Sequence, residues 1–180
     1  MQVLKKNDKL YEVEKVDSWL REFAEQQREL DGQYERLERL QARLESYGVQ
    51  EISDMPRSPS PPNDRVSVLM SKKIDLEQNL KLDIKEHQIT EQRIEYVLNH
   101  IEKARERTVI RMRYIDDEPW DTITFTLFGD LSDYTDKYRN YMRRSYLIHC
   151  AAKLDMAKYF KDSGDPEVEF FKQYIPKSLD

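Results

Sequence analysis

The stretch VDSWLREFAEQQRELDGQYERLERLQARLESY, from Val16 to Tyr47, carries apolar side chains at a seven-residue interval. The main row is Val16, Phe23, Leu30, Leu37 and Leu44, and a companion row holds Trp19, Leu40 and Tyr47. Seven residues are close to two turns of an α-helix, so both rows lie on one face. Gln26 and Gln33 interrupt the companion row with polar side chains that weaken the seam and can set its register. The stretch predicts a long helix with one coiled-coil-like seam.

The pattern also indicates where this helix begins and ends. Asp17 or Ser18 is suited to cap its start, and Gly48 is suited to end it. The segment VQEISDMPRSPSPPNDR, residues 49–65, follows with four prolines and three serines. Such a composition excludes a helix and favours an extended loop. We therefore expect residues 1–48 to form one helical segment and residues 49–65 to form a linker or hairpin tip.

A second long helix is predicted for residues 66–106. Its two apolar rows are Val66, Leu80, Ile94 and Ile101, and Leu69, Leu76, Val97 and Ala104, with interruptions at Lys73, Asp83, His87 and Thr90. Two helices with one apolar stripe each, joined by a proline loop, predict an antiparallel hairpin. A pair of helices leaves apolar surface at its edges, so the C-terminal domain or a second subunit is expected to complete the core.

Composition supports an all-α protein. Of the 180 residues, 36% are charged and 38% are hydrophobic, and glycine occurs only four times. This mixture is typical of long, solvent-exposed helices rather than of sheets. The predicted architecture is a long helical hairpin followed by a C-terminal helix-turn-helix domain over residues 107–161 and a tail over residues 162–180.

Cysteine content and hydropathy point to a compartment. Cys150 is the only cysteine, so the chain can form no intramolecular disulfide and no thiolate zinc cage. Nowhere do about 18 apolar residues run together, and the N-terminus lacks the apolar core of a signal peptide. These features predict a soluble protein of a reducing cytoplasm that has no contact with a membrane.

The C-terminal domain begins with a short helix and continues with a second one. TVIRMRYI, residues 108–115, predicts a helix with Val109, Ile110, Met112 and Ile115 turned inward. A helix from Trp120 to Phe128 follows, with Pro119 in its first turn and Asp117 or Glu118 as its cap. Its predicted buried residues are Trp120, Ile123 and Leu127, with Phe125 as a further candidate, and Gly129 ends it.

The last long helix is predicted to start near Ser132 or Asp133 and to end at about Phe160. At 100° per residue, one face holds Tyr134, Tyr138, Tyr141, Met142, Ser145, Ile148, Ala152, Met156 and Tyr159. The other face holds Lys137, Arg139, Asn140, Arg143 and Arg144. From Asp133 to Lys161, seven Lys or Arg stand against three Asp, a balance of +4, which leaves −9 for the rest of a chain of net charge −5.

A helix, a glycine turn and a second helix with exposed positive side chains on its early turns suit insertion into the major groove of DNA. The predicted DNA-binding residues are Lys137, Arg139, Asn140, Arg143 and Arg144. Arginine can bind phosphate or guanine in a bidentate manner, and Asn140 can read adenine. The competing interpretation is a basic face that is merely solvated, and the concentration of positive charge in an otherwise acidic chain favours DNA contact.

Other polar features indicate neither a metal site nor an enzyme. His149 and Cys150 are adjacent, so they diverge by 100° on a helix, and no spaced pair of ligands accompanies them. The tyrosines of the last helix fall at core spacing, which favours packing over stacking on bases. The chain shows no Gly-rich phosphate loop and no Gly-x-Ser-x-Gly elbow. We therefore expect no catalytic residue, no metal and no cofactor.

The segments VIRMRYIDDEPWDTITFTLFG and YRNYMRRSYLIHCAAKL resemble region 4 of bacterial sigma factors and, more closely, phage transcriptional activators of the ArpU and RinA type. The segment MPRSPSPPNDRVSVLMSKKIDLE resembles the loop and helix start of such regulators, so the similarity covers roughly residues 55–154. The resemblance implies a helix-turn-helix protein that acts at phage or prophage late promoters. It places the bracing helix at Trp120 to Phe128 and the reading helix after Ser132, with host RNA polymerase as a further candidate partner.

Three functions stay open at this point. The first is a sequence-specific transcription activator that binds promoter DNA, with the hairpin serving homodimerisation or polymerase contact. The second is a DNA-packaging protein of the small-terminase kind, in which the DNA-binding element typically precedes the oligomerising helices, whereas here it follows them. The third is an interaction protein, such as an inhibitor that mimics a sigma region, whose hairpin binds another protein and which binds no DNA.

Overall fold

The computed structural model describes residues 2–49 and 64–163, with side chains for residues 13–46 and 66–162. The five helices are α1 (Gln2–Val49), α2 (Asp64–Asn99), α3 (Ala104–Ile110), α4 (Trp120–Phe128) and α5 (Tyr138–Ser163). These described residues contain no strand, and α1 packs against α2 as a hairpin, which confirms the predicted all-α hairpin architecture. The predicted loop and tail lie outside the described residues, apart from the few that belong to helix ends.

The first helix is longer than its seam predicts. It begins at Gln2 and not at Asp17 or Ser18, because the preceding residues contain neither proline nor glycine and so extend the helix without interruption. Asp17 therefore caps nothing. Its carboxylate instead accepts a hydrogen bond from the Nζ of Lys153 on α5 at 2.7 Å and pairs with Arg21 one turn later at 2.8 Å. The helix ends at Val49, next to the predicted end at Gly48.

The chain folds into two compact units, and the larger one joins both chain halves. It combines the described residues up to Glu25 with those from Ile89 onward. Its buried apolar core is formed by Val16, Leu20, Phe23, Ala24, Ile94, Val97, Leu98, Ile101, Ile110, Tyr114, Ala152, Met156 and Ala157. The first turns of the seam and the end of α2 thus share one core with the C-terminal helices.

The smaller unit, the described part of residues 26–88, consists of the end of α1 and most of α2. Among its described apolar side chains only Leu30 and Leu80 are buried, while Leu37, Leu40 and Leu44 of the predicted rows are half-buried. The two polar interruptions of the seam meet each other. The side-chain amide of Gln33 donates to the carboxylate of Asp83 at 3.1 Å, a pairing that holds α1 and α2 in one register.

The second helix ends earlier than predicted, at Asn99. Residues 101–103 are not helical, and Ile101 is buried while Ala104, a predicted seam residue, is exposed at the start of α3. The guanidinium of Arg107 stabilises this break, since its Nη1 donates to the carbonyl oxygens of Ile101 at 2.5 Å and Glu102 at 3.0 Å. Carbonyl oxygens of the non-helical connection thereby find partners within the protein.

The predicted short helix consists of α3 followed by a π-helical turn, Arg111–Ile115. Val109 and Ile110 are fully buried as predicted, whereas Met112 is only half-buried. The wider π-turn brings Tyr114 into the core instead. Ile115, also predicted to turn inward, is half-buried and packs against the core, but the 100° rule does not predict the burial of Tyr114, because the π-turn changes the angular spacing of side chains.

The fourth helix has the predicted bounds, but its cap and one core residue differ. Pro119 occupies the position before the first helical residue, with φ −69° and ψ 155°, and no side chain caps the helix. The turn before it contains Asp117 in the left-handed region, at φ 46°. Phe125, a candidate core residue, is 62% exposed, and the neighbouring Phe128 is buried in its place.

Candidate nucleic-acid interface

The predicted reading helix begins at Tyr138, later than the predicted Ser132 or Asp133. Residues 129–137 form a turn-rich connection between α4 and α5. Asp133 organises this connection, because its carboxylate accepts hydrogen bonds from the Nζ of Lys137 and the hydroxyl of Tyr141, both at 2.7 Å. The same two hydrogen bonds, with Lys137 as the larger contribution, lower the pKa of Asp133. Lys137 is therefore a residue of the connection and not of the helix.

Aromatic contacts, one edge-on and one stacked, and one more hydrogen bond hold the connection against both helices. The ring of Tyr134 lies 5.8 Å from that of Phe125 on α4 and 6.0 Å from that of Tyr141 on α5. Tyr138 donates its hydroxyl proton to the carboxylate of Asp121 on α4, and this bond raises the pKa of Tyr138 to about 12. The tyrosines predicted to pack do so, with Tyr141 buried and the other two half-buried.

The α4–α5 packing combines apolar and polar contacts. Ile123 is fully buried, and the rings of Phe128 and Tyr141 stack with centroids 5.0 Å apart. The hydroxyl of Thr124 donates to that of Ser145 at 3.0 Å, in a fully buried position. Buried polar pairs are directional, so this contact defines how α5 is rotated and shifted relative to α4.

Four of the five predicted DNA-binding residues lie on the exposed side of the first turns of α5. They are Arg139, Asn140, Arg143 and Arg144. The Arg144 guanidinium lies 5.4 Å from the ring centroid of Tyr141, whereas Arg139 and Arg143 make no ion pair with any residue the structure describes. No acidic residue lies in the first turn of α5. Lys137, the fifth predicted residue, is near them but is already paired with Asp133.

Sequence reasoning missed an apolar continuation of this surface. Leu147, which is 61% exposed, Cys150 and Leu154 are exposed on α5. At 100° per residue they follow Arg143 along the same side of the helix. The signal was visible in the sequence as leucines outside the predicted core face. The outer side of α5 is thus cationic near its N-terminus and apolar further on.

The predicted helix-turn-helix core residues are placed as follows. Ile123 is fully buried, Leu127 and Trp120 are half-buried, and Gly129 follows the last residue of α4. Gly129 has an ordinary helical φ of −60°, but an added Cβ would lie 2.6 Å from the carbonyl oxygen of Phe125. Its role is therefore steric, since the chain passes too close to α4 for any side chain.

Trp120 belongs to an aromatic cluster that includes His149, a residue that sequence reasoning treated only as a metal candidate. The Trp120 ring contacts Tyr146 and His149 with centroids 4.3 Å and 5.2 Å apart. The hydroxyl of Tyr114 lies 3.0 Å from the Nε2 of His149. Burial, with a further contribution from Lys153, lowers the pKa of His149 to about 4, so the imidazole is neutral where it shares a hydrogen bond with the Tyr114 hydroxyl.

Neither a metal cluster nor a membrane span is found in the described part of the chain. No group of three or more His, Cys, Asp or Glu side chains there could hold a metal ion. None of its helices is both long and apolar enough to cross a bilayer. Comparison with protein families, with curated proteins and with solved structures finds no match to this chain.

Proposed function

We propose that this chain is a phage or prophage transcription regulator that binds double-stranded DNA through the first turns of α5. The observation that carries the proposal is the cluster of exposed, cationic and polar side chains at Arg139, Asn140, Arg143 and Arg144, beside a helix start without acidic residues. The α4–α5 pair beneath it is held by buried contacts, so the cluster sits on a rigid support.

The chemistry of the cluster suits a DNA groove. Arg139 and Arg143 have no ion-pair partner in the described structure, so binding phosphate requires neither of them to leave a carboxylate. The N-terminal end of α5 adds the positive end of the helix dipole. Asn140 can form two hydrogen bonds with adenine, and either arginine can do so with guanine. Lys137 must break its ion pair with Asp133 before it can bind a phosphate, so its contribution to the free energy of DNA binding is smaller.

The mechanism would be recruitment to a promoter and not catalysis. The apolar residues Leu147, Cys150 and Leu154 continue the same side of α5, and they offer a surface for a protein partner such as host RNA polymerase. DNA would then occupy the start of the helix while a protein contacts its middle. The resemblance to phage activators of the ArpU and RinA type supports this assignment.

A protein-binding function without DNA is the second candidate. It is favoured by the same exposed leucines and by the sparsely buried hairpin of residues 26–88. In that case, substitution of Arg143 and Arg144 would leave the function intact, whereas Leu147→Asp would abolish it. The two candidates therefore differ in whether Arg143 and Arg144 are essential.

The deciding experiment measures binding of the purified full chain to DNA from upstream of its neighbouring genes and to a scrambled duplex, across a salt series. We expect a preference for the first DNA and a loss of about tenfold or more in affinity for the Arg143→Ala/Arg144→Ala variant. Since each lost phosphate contact removes about 0.9 from the slope of log K against log salt, the slope should fall by about 2.

A matched control removes the same charge from the other end of the helix. Lys158 and Lys161 are both exposed on α5, and Lys158→Ala/Lys161→Ala should bind DNA within about twofold of the parent protein. Equal, weak binding to both duplexes that neither variant alters would contradict DNA recognition and favour the protein-binding candidate.

A further inference from the structure

The smaller unit, residues 26–88, leaves most of its seam uncovered. Among its described apolar side chains, Leu30 and Leu80 are buried, and the rest are half-buried or exposed. Helices of this length are held mainly by burial of an apolar face, and two helices alone cannot enclose their stripes. This part of the hairpin therefore presents a surface that another helical element can cover.

One groove between α1 and α2 in this unit is largely apolar. It has a volume of about 470 Å³, and its walls include Tyr34, Leu37, Ile74, Glu77, Lys81 and Ile84. Tyr34 is 46% exposed and Ile74 is 48% exposed, although both are large apolar side chains. Glu77, whose carboxylate also lies 3.5 Å from the Nζ of Lys73, supplies one negative charge to the groove, and Lys81 supplies one positive charge. An occupant of this groove must offer apolar side chains and both signs of charge.

Four residues of the α2 wall of this groove are spaced symmetrically about position 79. Ile74 and Ile84 lie five positions to either side of Asn79, and Glu77 and Lys81 lie two positions to either side. When two copies of a helix pack antiparallel about a two-fold axis, a residue before the axis meets the equivalent residue after it in the partner. Isoleucine would then face isoleucine, and glutamate would face lysine, twice per dimer.

We propose that two copies of this chain associate through this groove, with their α2 helices antiparallel about a two-fold axis that crosses the groove between Glu77 and Lys81, level with position 79. The surface is self-complementary in charge and in apolar character, which is what a two-fold interface requires. It would cover Tyr34 and Ile74 and complete the seam as a four-helix arrangement.

A second groove in the same unit cannot serve such a pairing. It is lined by Gly32, Arg36, Arg39, Leu40, Arg43, Leu69 and Lys72, with four cations and no carboxylate. Two copies meeting there would bring like charges together, which is destabilising. The charge distribution of the hairpin therefore selects the groove of Glu77 and Lys81 for a second copy.

The proposal goes beyond DNA binding and does not depend on it. All the residues it uses lie within residues 34–84, and none belongs to α5. Its test is the mass of the full chain in solution without DNA, by light scattering and sedimentation equilibrium. We expect a dimer whose mass the Arg143→Ala/Arg144→Ala variant leaves unchanged, so failure of DNA binding and failure of dimerisation are measured separately.

Charge reversal tests the register. Lys81→Glu alone and Glu77→Lys alone should each weaken the dimer by roughly tenfold or more, because each places like charges opposite one another twice. The double variant Glu77→Lys/Lys81→Glu should restore the dimer, and mixing the two single variants should give a heterodimer. Lys72→Glu, which makes the same charge change in the second groove, should stay within about twofold of the parent.

Several outcomes would overturn the proposal. A helical protein that remains monomeric at every concentration would exclude it, and so would a dimer that neither single reversal weakens. If a single variant loses helical content by circular dichroism, the double variant decides whether the charge pair or unfolding is the cause. A second charge change should restore the dimer only where the pairing of Glu77 with Lys81 matters, because it has no reason to reverse unfolding. Ring-sized assemblies would also exclude it and would favour the packaging-type alternative.

Discussion

Thr124 on α4 and Ser145 on α5 form a hydrogen bond between two fully buried hydroxyl groups, with the oxygens 3.0 Å apart. The hydroxyl of Ser145 in turn donates a hydrogen bond to the carbonyl oxygen of Tyr141 at 3.2 Å. The chain of hydroxyls leads from α4 to the turn of α5 that precedes Arg143 and Arg144. The orientation of the candidate interface is thus coupled to a polar contact inside the core.

Removal of this contact should destabilise the protein. Ser145→Ala leaves the buried hydroxyl of Thr124 without its oxygen acceptor, and we expect a loss of about 1–2 kcal/mol in the free energy of unfolding by urea titration. Thr126→Val, on the exposed side of the same helix, should change stability by less than about 0.5 kcal/mol. A double-mutant cycle with Thr124→Val should give a coupling energy of about 1 kcal/mol, and a value near zero would contradict the pairing.

The buried histidine makes stability depend on pH. Because the folded protein lowers the pKa of His149 from 6.5 to about 4, protonation favours the unfolded state, and stability falls as the pH drops from about 6.5 toward 4. Between pH 7 and pH 5 we expect a loss of about 2 kcal/mol, measured by urea unfolding. His149→Gln should remove that part of the pH dependence, whereas His100→Gln, at an exposed position, should retain it. Equal pH profiles for both variants would contradict the buried, neutral imidazole.

Two glycines should respond in opposite directions to the same substitution. An alanine Cβ at Gly129 would lie 2.6 Å from the backbone oxygen of Phe125, so Gly129→Ala should lower the thermal midpoint, with a cost of about 1–3 kcal/mol. A Cβ at Gly32 meets nothing within 4 Å, and that residue lies inside α1. Gly32→Ala should therefore raise stability by about 0.5–1 kcal/mol. An unchanged thermal midpoint for Gly129→Ala would mean that the end of α4 can move away from the added Cβ.

The side chain of Lys137 can be freed from its ion pair by a substitution at Asp133, without changing Lys137 itself. Asp133→Asn removes the carboxylate that holds the lysine, and we expect about threefold tighter DNA binding if Lys137 then reaches a phosphate. Asp136→Asn removes one negative charge from the same connection, at an exposed position, and controls for net charge. Combining Asp133→Asn with Lys137→Ala should cancel the gain. An equal gain from both aspartate variants would show that only overall charge matters.

The sequence was sufficient for the elements whose pattern is local and regular. The heptad rows predicted the hairpin, and the run from Trp120 to Phe128 between a proline and a glycine predicted α4 with its observed bounds. The inward face of α5 followed from helical spacing, and Tyr141, Ser145 and Met156 are buried on it.

The features that escaped prediction depend on tertiary contacts. Residues 129–137 form turns before α5, and the bonds of Asp133 to Lys137 and Tyr141 there have no signature in helical periodicity. The π-turn that buries Tyr114 also breaks the 100° rule. Thr124 has no apolar signature, so its place in the core becomes visible only when α4 lies against α5.

Cys150 provides a thiol-labelling site on the exposed side of α5, so no cysteine has to be introduced by mutation. It is the only cysteine in the chain and is exposed, two turns beyond Arg143 and so about 10 Å from it along the helix. A thiol-reactive dye will attach at this one position, inside the apolar part of the surface and between Leu147 and Leu154. The rate of its attachment, measured with DNA or a protein partner present, becomes a protection assay for whatever covers the middle of the helix.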